Sequence, residues 1–401
     1  MVGRHNIIGS SKGGEWYVTS GHIIGTGNVI YSDSTNVFGD NNKVYSGSGI
    51  AIGNANKVGI DNAGNLVKNK DGRAIYNPVA VGHGNIVTGN YGVAVGVQAK
   101  SHGVETVAIG STAQALSDYS SAVGSNNRAT GYGSVAIGSL NNKYDFEANK
   151  GKGDWKDFDS GEYANAMGVM NISTGEASSA VGTKNKALEE NASSFGFLNT
   201  AAGKKSSAVG YWNKAEGESS SSFGYLNTAT GKQSSAVGFR NYATGENSAA
   251  IGIYNNKYNV VEKKWEDQTA GEYSVAIGSK NHSAGNHSSA LGYENKSGGL
   301  AASAVGYRNI TDGQSTSAFG YANQVTGAYS FASGTSNQAK GQYSSAVGNS
   351  NEAEGRKSQA VGYRNFVSGY GAVAIGSENN LNFDKTRITR GYGLRKNHQS
   401  Y

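Results

Sequence analysis

The chain has 401 residues, a formal charge of +6, 60 glycines, one proline (Pro78) and no cysteine. Without a three-residue glycine period and abundant proline it is not collagen, and 24 tyrosines among regularly scattered Val, Ile and Phe exclude plain disorder. The missing cysteine excludes disulfides, iron–sulfur clusters and cysteine zinc sites, and the dispersed Lys and Arg do not point to nucleic acid.

No stretch is long and apolar enough to span a bilayer. The opening MVGRHNIIGSS has no signal-peptide core and already sits within a repeat, so the chain reads as a segment of something larger. A cysteine-free chain also suits crossing a membrane unfolded.

Residues 1–56 carry loose coils marked by Gly25, Gly39 and Gly53. A first insertion, 57–77, holds an Asp71-Gly72 hairpin signal. Over 78–140 the glycine closing each AVG-like triplet recurs every fourteen residues, at Gly82, Gly96, Gly110, Gly124 and Gly138. A second insertion spans 141–163. The rhythm resumes over 164–254 (Gly168 to Gly252), breaks at a third insertion, 255–273, and returns over 274–378 (Gly278 to Gly376). Residues 379–401 form a last excursion or basic tail. A second glycine often falls halfway, as at Gly131, Gly217 and Gly245.

Such a period predicts coils of two short strands joined by tight turns at the glycines, stacked into a parallel solenoid. Helix is disfavoured, because two glycines per fourteen residues would each cost about 1 kcal/mol. Asn three residues after the main glycine (Asn127, Asn213, Asn309) suits a left-handed corner. With coils about 4.8 Å apart, roughly two dozen of them predict a rod on the order of 110 Å long.

Alternation places Ala208, Ala236 and Ala304 on one strand face with the glycines. Val209, Phe223, Val237, Ile251, Ile277, Val305, Phe319, Val347 and Val361 fall on the other. A thin coil favours the small face inside, which leaves a branched stripe far larger than monomers expose. Identical chains side by side are the simplest cover, so these nine residues are the expected oligomer interface. Otherwise the stripe points inward and the chain is monomeric.

The second and third insertions share NNKY at entry, a Trp inside and GEY at exit. Their Tyr144, Phe146, Trp155, Phe158, Tyr258 and Trp265, with Lys152 and Lys263 as charged neighbours, are candidate partner-binding residues, since aromatics anchor interfaces. Alternatively the hairpins fold against a neighbouring chain. One residue past the main glycine, Tyr293, Tyr307 and Tyr321 form a ladder with Arg308 beside it. The ladder is either a platform that holds a partner by stacking or a rim of the inter-chain contact.

No catalytic constellation, cofactor site or metal site is expected. His282 and His287 read as solvated surface, and the Gly-x-Gly fragments precede no helix. A polysaccharide-acting β-solenoid enzyme would need an acidic or basic cluster, and an ice-binding solenoid a flat threonine ladder.

The repeated SVAIGS (134–139 and 274–279), the SSAVGYRN-like repeats and the ATGE linkers resemble the YadA-like heads of trimeric autotransporter adhesins. The resemblance spans about 25–376. It implies an all-β, left-handed parallel β-roll of 14-residue coils, assembled as a homotrimer and displayed on a Gram-negative outer membrane. Its partner would be a host cell-surface receptor or matrix protein, with receptors of the carcinoembryonic-antigen family as a lead. No nucleic acid or small-molecule substrate is implied. The family's neck, heptad stalk and barrel strands have no counterpart in this sequence, so the anchor is implied by the resemblance alone.

Overall fold

A computed structural model describes residues 1–9, 21–32, 34–145, 154–259, 264–265, 269–381 and 388–389, and no helix occurs among them. Each fourteen-residue period becomes a coil of one five-residue strand, such as Ser207–Tyr211, and one two-residue strand, such as Lys214–Ala215. Long strands pair in parallel one period apart, Val209 with Phe223 and Tyr211 with Tyr225. Short strands form a second parallel ladder, Lys214 with Thr228 and Ala215 with Ala229.

The chain divides into two compact units, Met1–Lys205 and Ser206–Tyr401. In the first, the long ladder includes Gly21–Ile24, Ile50–Asn54, Val135–Ser139 and Ser193–Phe197. In the second, it reaches from Ser207–Tyr211 to Val373–Ser377.

The core is narrow because the two strands of a coil lie back to back. Ala208 and Ala215 meet there, both fully buried, and Ala229, Ala236, Ala243 and Ala250 continue the packing. Close packing at such a spacing favours small residues, with Val325 and Val367 the larger groups buried in the same short-strand row. Early coils of the first unit are wider, with Ile30, Val37, Val44, Val58 and Val87 buried in equivalent places.

The main glycines do not form the corners. Gly238 is the fourth residue of its strand, Ser235–Phe239, with φ 115°. A Cβ there would lie 2.1 Å from the Gly252 carbonyl oxygen of the next coil. The halfway glycines meet a similar wall without unusual φ: a Cβ on Gly231 would lie 2.0 Å from the Gly245 carbonyl oxygen. Glycine is therefore required by the close approach of stacked backbones.

The left-handed corners are held by ordinary residues, such as Leu226 (φ 56°), Gln233 (φ 54°) and Arg240 (φ 52°). This conformation is uncommon without glycine. Each of these residues, however, donates its amide to the coil before, Leu226 to the Tyr211 carbonyl at 2.9 Å and Gln233 to the Glu218 carbonyl at 2.8 Å. Stacking thus offsets the local strain, which no isolated coil could do.

The recurring Asn is not a corner either; it follows one. Asn227 is fully buried, and its backbone N–H and Nδ2 both donate to Asn213 Oδ1, at 3.1 and 3.0 Å. Nδ2 also reaches the carbonyls of Phe223 (2.9 Å) and Gly238 (2.6 Å). Asn241 repeats this on Asn227, and so the amides form a ladder up the interior. A buried polar group is tolerated only when satisfied, and here both ends of every amide are used.

Candidate functional site

The branched stripe faces out. Within a strand the residue between buried Ala and Gly must point away from the core. Phe223, Ile251, Ile277 and Phe319 are 37 to 40% exposed, and Val209, Val237, Val305, Val347 and Val361 are half-buried. The inward alternative is therefore overturned. In the first unit Phe38, Ile52, Ile109, Ile137, Met167 and Phe195 take the same place. Insertions leave the stripe in register: Ile137 pairs with Met167 across the second and Ile251 with Ile277 across the third. Ser333 interrupts it, and there Phe331 packs against Phe319 with ring centres 5.9 Å apart.

Two positions further along the same strand face lies the tyrosine ladder. Tyr293 stacks on Tyr307 at 5.1 Å and 12°, and Tyr307 on Tyr321 at 5.1 Å and 2°. Tyr211, Tyr225 and Phe239 form a second stack. Because the rings face one another, their faces are consumed within the stack and a partner meets mainly edges. Tyr321 ends its stack and is 48% exposed.

Arg308 lies over Tyr307 at 5.0 Å and Lys280 over Tyr293 at 5.5 Å. Between these cations sits Glu294, 2.7 Å from Arg308 Nε and 3.4 Å from Lys280 Nζ. Burial works to raise the Glu294 carboxyl. Hydrogen bonds from Arg308, Tyr293 and Lys280, with the Arg308 charge, outweigh it and hold the pKa below the usual carboxylate value.

The second insertion is a hairpin in which Tyr144–Asp145 pairs antiparallel with Asp154–Trp155. The Tyr144 ring meets Trp155 edge-on at 5.7 Å, and Trp155 is 62% exposed. Phe158 is half-buried, with Lys156 Nζ 5.0 Å from its ring centre. Ion pairs pin the foot to neighbouring coils, Arg128 to Asp159 (2.9 Å) and Lys186 to Asp145 (3.3 Å), while Lys143 to Asp157 (2.6 Å) ties the two arms of the insertion together. In the third insertion Tyr258 pairs with Trp265 in an antiparallel register. Phe146, Lys152 and Lys263 lie outside the described residues.

The shared NNKY has a mechanical meaning. Its first Asn, Asn141 or Asn255, continues the buried amide ladder. The second splices the short ladder where the chain leaves. Asn142 Nδ2 donates to the Arg128 carbonyl at 2.9 Å while its Oδ1 accepts from Ser173 N–H at 2.8 Å. Asn256 bridges the Tyr242 carbonyl and Ser283 N–H in the same way. A side-chain amide thus stands in for a missing peptide group.

The first insertion has the turn expected at Asp71-Gly72, closed by Asn69 N–H to the Arg73 carbonyl at 2.7 Å. It also has a second turn: Asp61 accepts from the backbone and side chain of Asn65, and these bonds hold the Asp61 carboxyl below its usual range.

Sequence reasoning missed another aromatic edge at the opposite corner. Tyr329 and Tyr343 stack at 5.2 Å, Tyr119, Tyr132 and Tyr163 meet edge to face, and Tyr273 stacks on His287 at 4.9 Å. Aligning the sequence in rows of fourteen would have found it, since most of these tyrosines stand five residues before a main glycine. Of the two histidines expected at the surface, His287 is exposed, but His282 is buried, with Nε2 3.1 Å from the Thr269 carbonyl. Among the described residues no group of His, Asp and Glu is arranged to hold a metal ion.

The family described as YadA head domain repeat (2 copies) matches residues 79–99, 101–127, 118–141, 160–198, 201–227, 229–254, 270–295, 312–337, 326–351, 339–365 and 353–379, more than half of the chain. No curated protein matches it.

Proposed function

The chain belongs to the YadA head domain repeat family, and on that premise we propose that it is the head of a trimeric surface adhesin of a Gram-negative bacterium, binding a host cell-surface receptor or matrix protein along its side. The supporting observation is the outward apolar stripe, in register within each unit. An exposed apolar surface of that extent needs a cover, and three identical chains supply it. Host contact then falls to the insertions, where Trp155 is exposed, and to the edges of the adjoining tyrosine ladder. A polysaccharide-acting enzyme or an ice-binding solenoid has no observation in its favour, since the outward strand face carries Val, Ile and Phe instead of a threonine ladder.

Deleting 143–159 and 257–267 separately tests this reading. Folding should survive, because Asn142 and Asn256, both retained, splice the short ladder where the chain leaves. Attachment of the purified protein to host cells should fall roughly thirtyfold when an aromatic anchor worth about 2 kcal/mol is lost. Full attachment by both deletions and by the combined Tyr293→Ala, Tyr307→Ala, Tyr321→Ala variant would place the contact elsewhere.

A further inference from the structure

We propose that the first insertion forms, with the coils beside it, a binding site for an acidic oligosaccharide, a chain of a few sugars bearing a single carboxylate at the recognised end. A cleft of about 560 Å³ lies between the hairpin residues 67–71 and the coil corners at Thr88–Asn90, His102, Val104 and Asp118–Tyr119. That volume falls in the range of small-molecule sites.

The lining defines the ligand. Lys68 and Lys70 line the cleft, are exposed and make no ion pair among the described residues, so they can receive a carboxylate. Asp71 and Asp118 share the cleft. Two carboxylates repel a phosphate dianion or a densely sulfated chain, yet accept hydrogen bonds from hydroxyls. The apolar part is spread thinly over Val67, Val104 and the Tyr119 ring, which suits the C–H faces of sugars better than one protein anchor.

His102 supports the same reading. Its Nε2 is enclosed by protein and has no hydrogen-bond partner, an unusual condition for a buried polar atom. Burial, and next the Lys100 charge, lower its pKa, so the ring is neutral at pH 7. A small rotation of the ring toward a bound hydroxyl would satisfy it.

The test uses the full chain and three probes in calorimetric or ligand-observed NMR titrations: a sialylated lactose, a uronate-containing tetrasaccharide and neutral lactose. Binding of at least one acidic probe is expected, with lactose at least about tenfold weaker, since a charge-assisted contact is lost. Whichever acidic probe binds identifies the source of the carboxylate. Lys68→Ala with Lys70→Ala should weaken that probe at least about tenfold. Both side chains are exposed, so the fold should be untouched, and Tyr119→Ala provides a second variant that should also weaken binding. The proposal fails if neither acidic probe binds at millimolar concentration, if lactose binds equally well, or if the double lysine variant binds like the parent. The deletion of 143–159 leaves this cleft intact, so host attachment through that hairpin and sugar binding here can fail independently.

Discussion

Gly238→Ala should tear the long ladder open at one coil. The added Cβ would sit 2.1 Å from the Gly252 carbonyl oxygen and 3.1 Å from Asn241 Nδ2, at a φ of 115°. Backbone strain alone costs on the order of 1–3 kcal/mol. The contact cannot be relieved by a rotamer change, because the obstacle is backbone, so a total above about 4 kcal/mol is expected. Gly84→Ala is the control. Gly84 occupies a left-handed corner (φ 64°) where other coils carry Gln98 or Thr112, and the nearest atom to its Cβ would be 3.7 Å away. Hydrogen exchange should show lost protection over Ser235–Phe239 and Ala249–Ile253 in the first variant and parent-like protection in the second. Equal protection in both variants would refute the packing role assigned to Gly238.

Asn309→Leu should be comparably severe although leucine has a similar size and is apolar. Asn309 Nδ2 donates to the carbonyls of Val305 (3.0 Å) and Gly320 (2.7 Å), and its Oδ1 accepts the backbone N–H and Nδ2 of Asn323, both at 3.0 Å. Leucine would leave the Asn323 N–H unpaired inside the coil and remove the Nδ2 bonds to the Asn295 side chain and to the Val305 and Gly320 carbonyls. At about 1–3 kcal/mol for the orphaned N–H and about 0.5–1.5 kcal/mol for each of the three other bonds, the loss is roughly 2.5–7.5 kcal/mol. Stability in stacked repeats depends on each unit and its neighbours, so the damage should concentrate at coils beside Asn309. Denaturant unfolding should show a new early transition; a curve superimposable on the parent's would remove the amide ladder from the account.

The coils were legible because their chemistry is forced at fixed spacing. Backbones stacked this closely admit only glycine at Gly238 and Gly231, a two-strand interior favours small residues such as Ala208, and alternation then sends Val209 outward. The corners were not legible, because hydrogen bonds to the coil before, rather than residue type, hold them left-handed. Trp212, Arg240 and Glu294 all serve there. The role of Asn142 was hidden for a related reason: its partners, Arg128 and Ser173, lie on either side of an excursion and meet only when the coils stack. His282 read as surface, since nothing in sequence shows Thr269 returning from the third insertion to cover it. The aromatic ladders were half legible. The sequence shows which rings share a row, and only the structure shows that Tyr293, Tyr307 and Tyr321 spend their faces on one another.

Everything proposed about assembly rests on the outward stripe being covered by copies of the same chain. Multi-angle light scattering of the purified chain at micromolar concentration measures this directly. The account predicts a mass near three times 41.5 kDa, and a clean species of 41.5 kDa would contradict it.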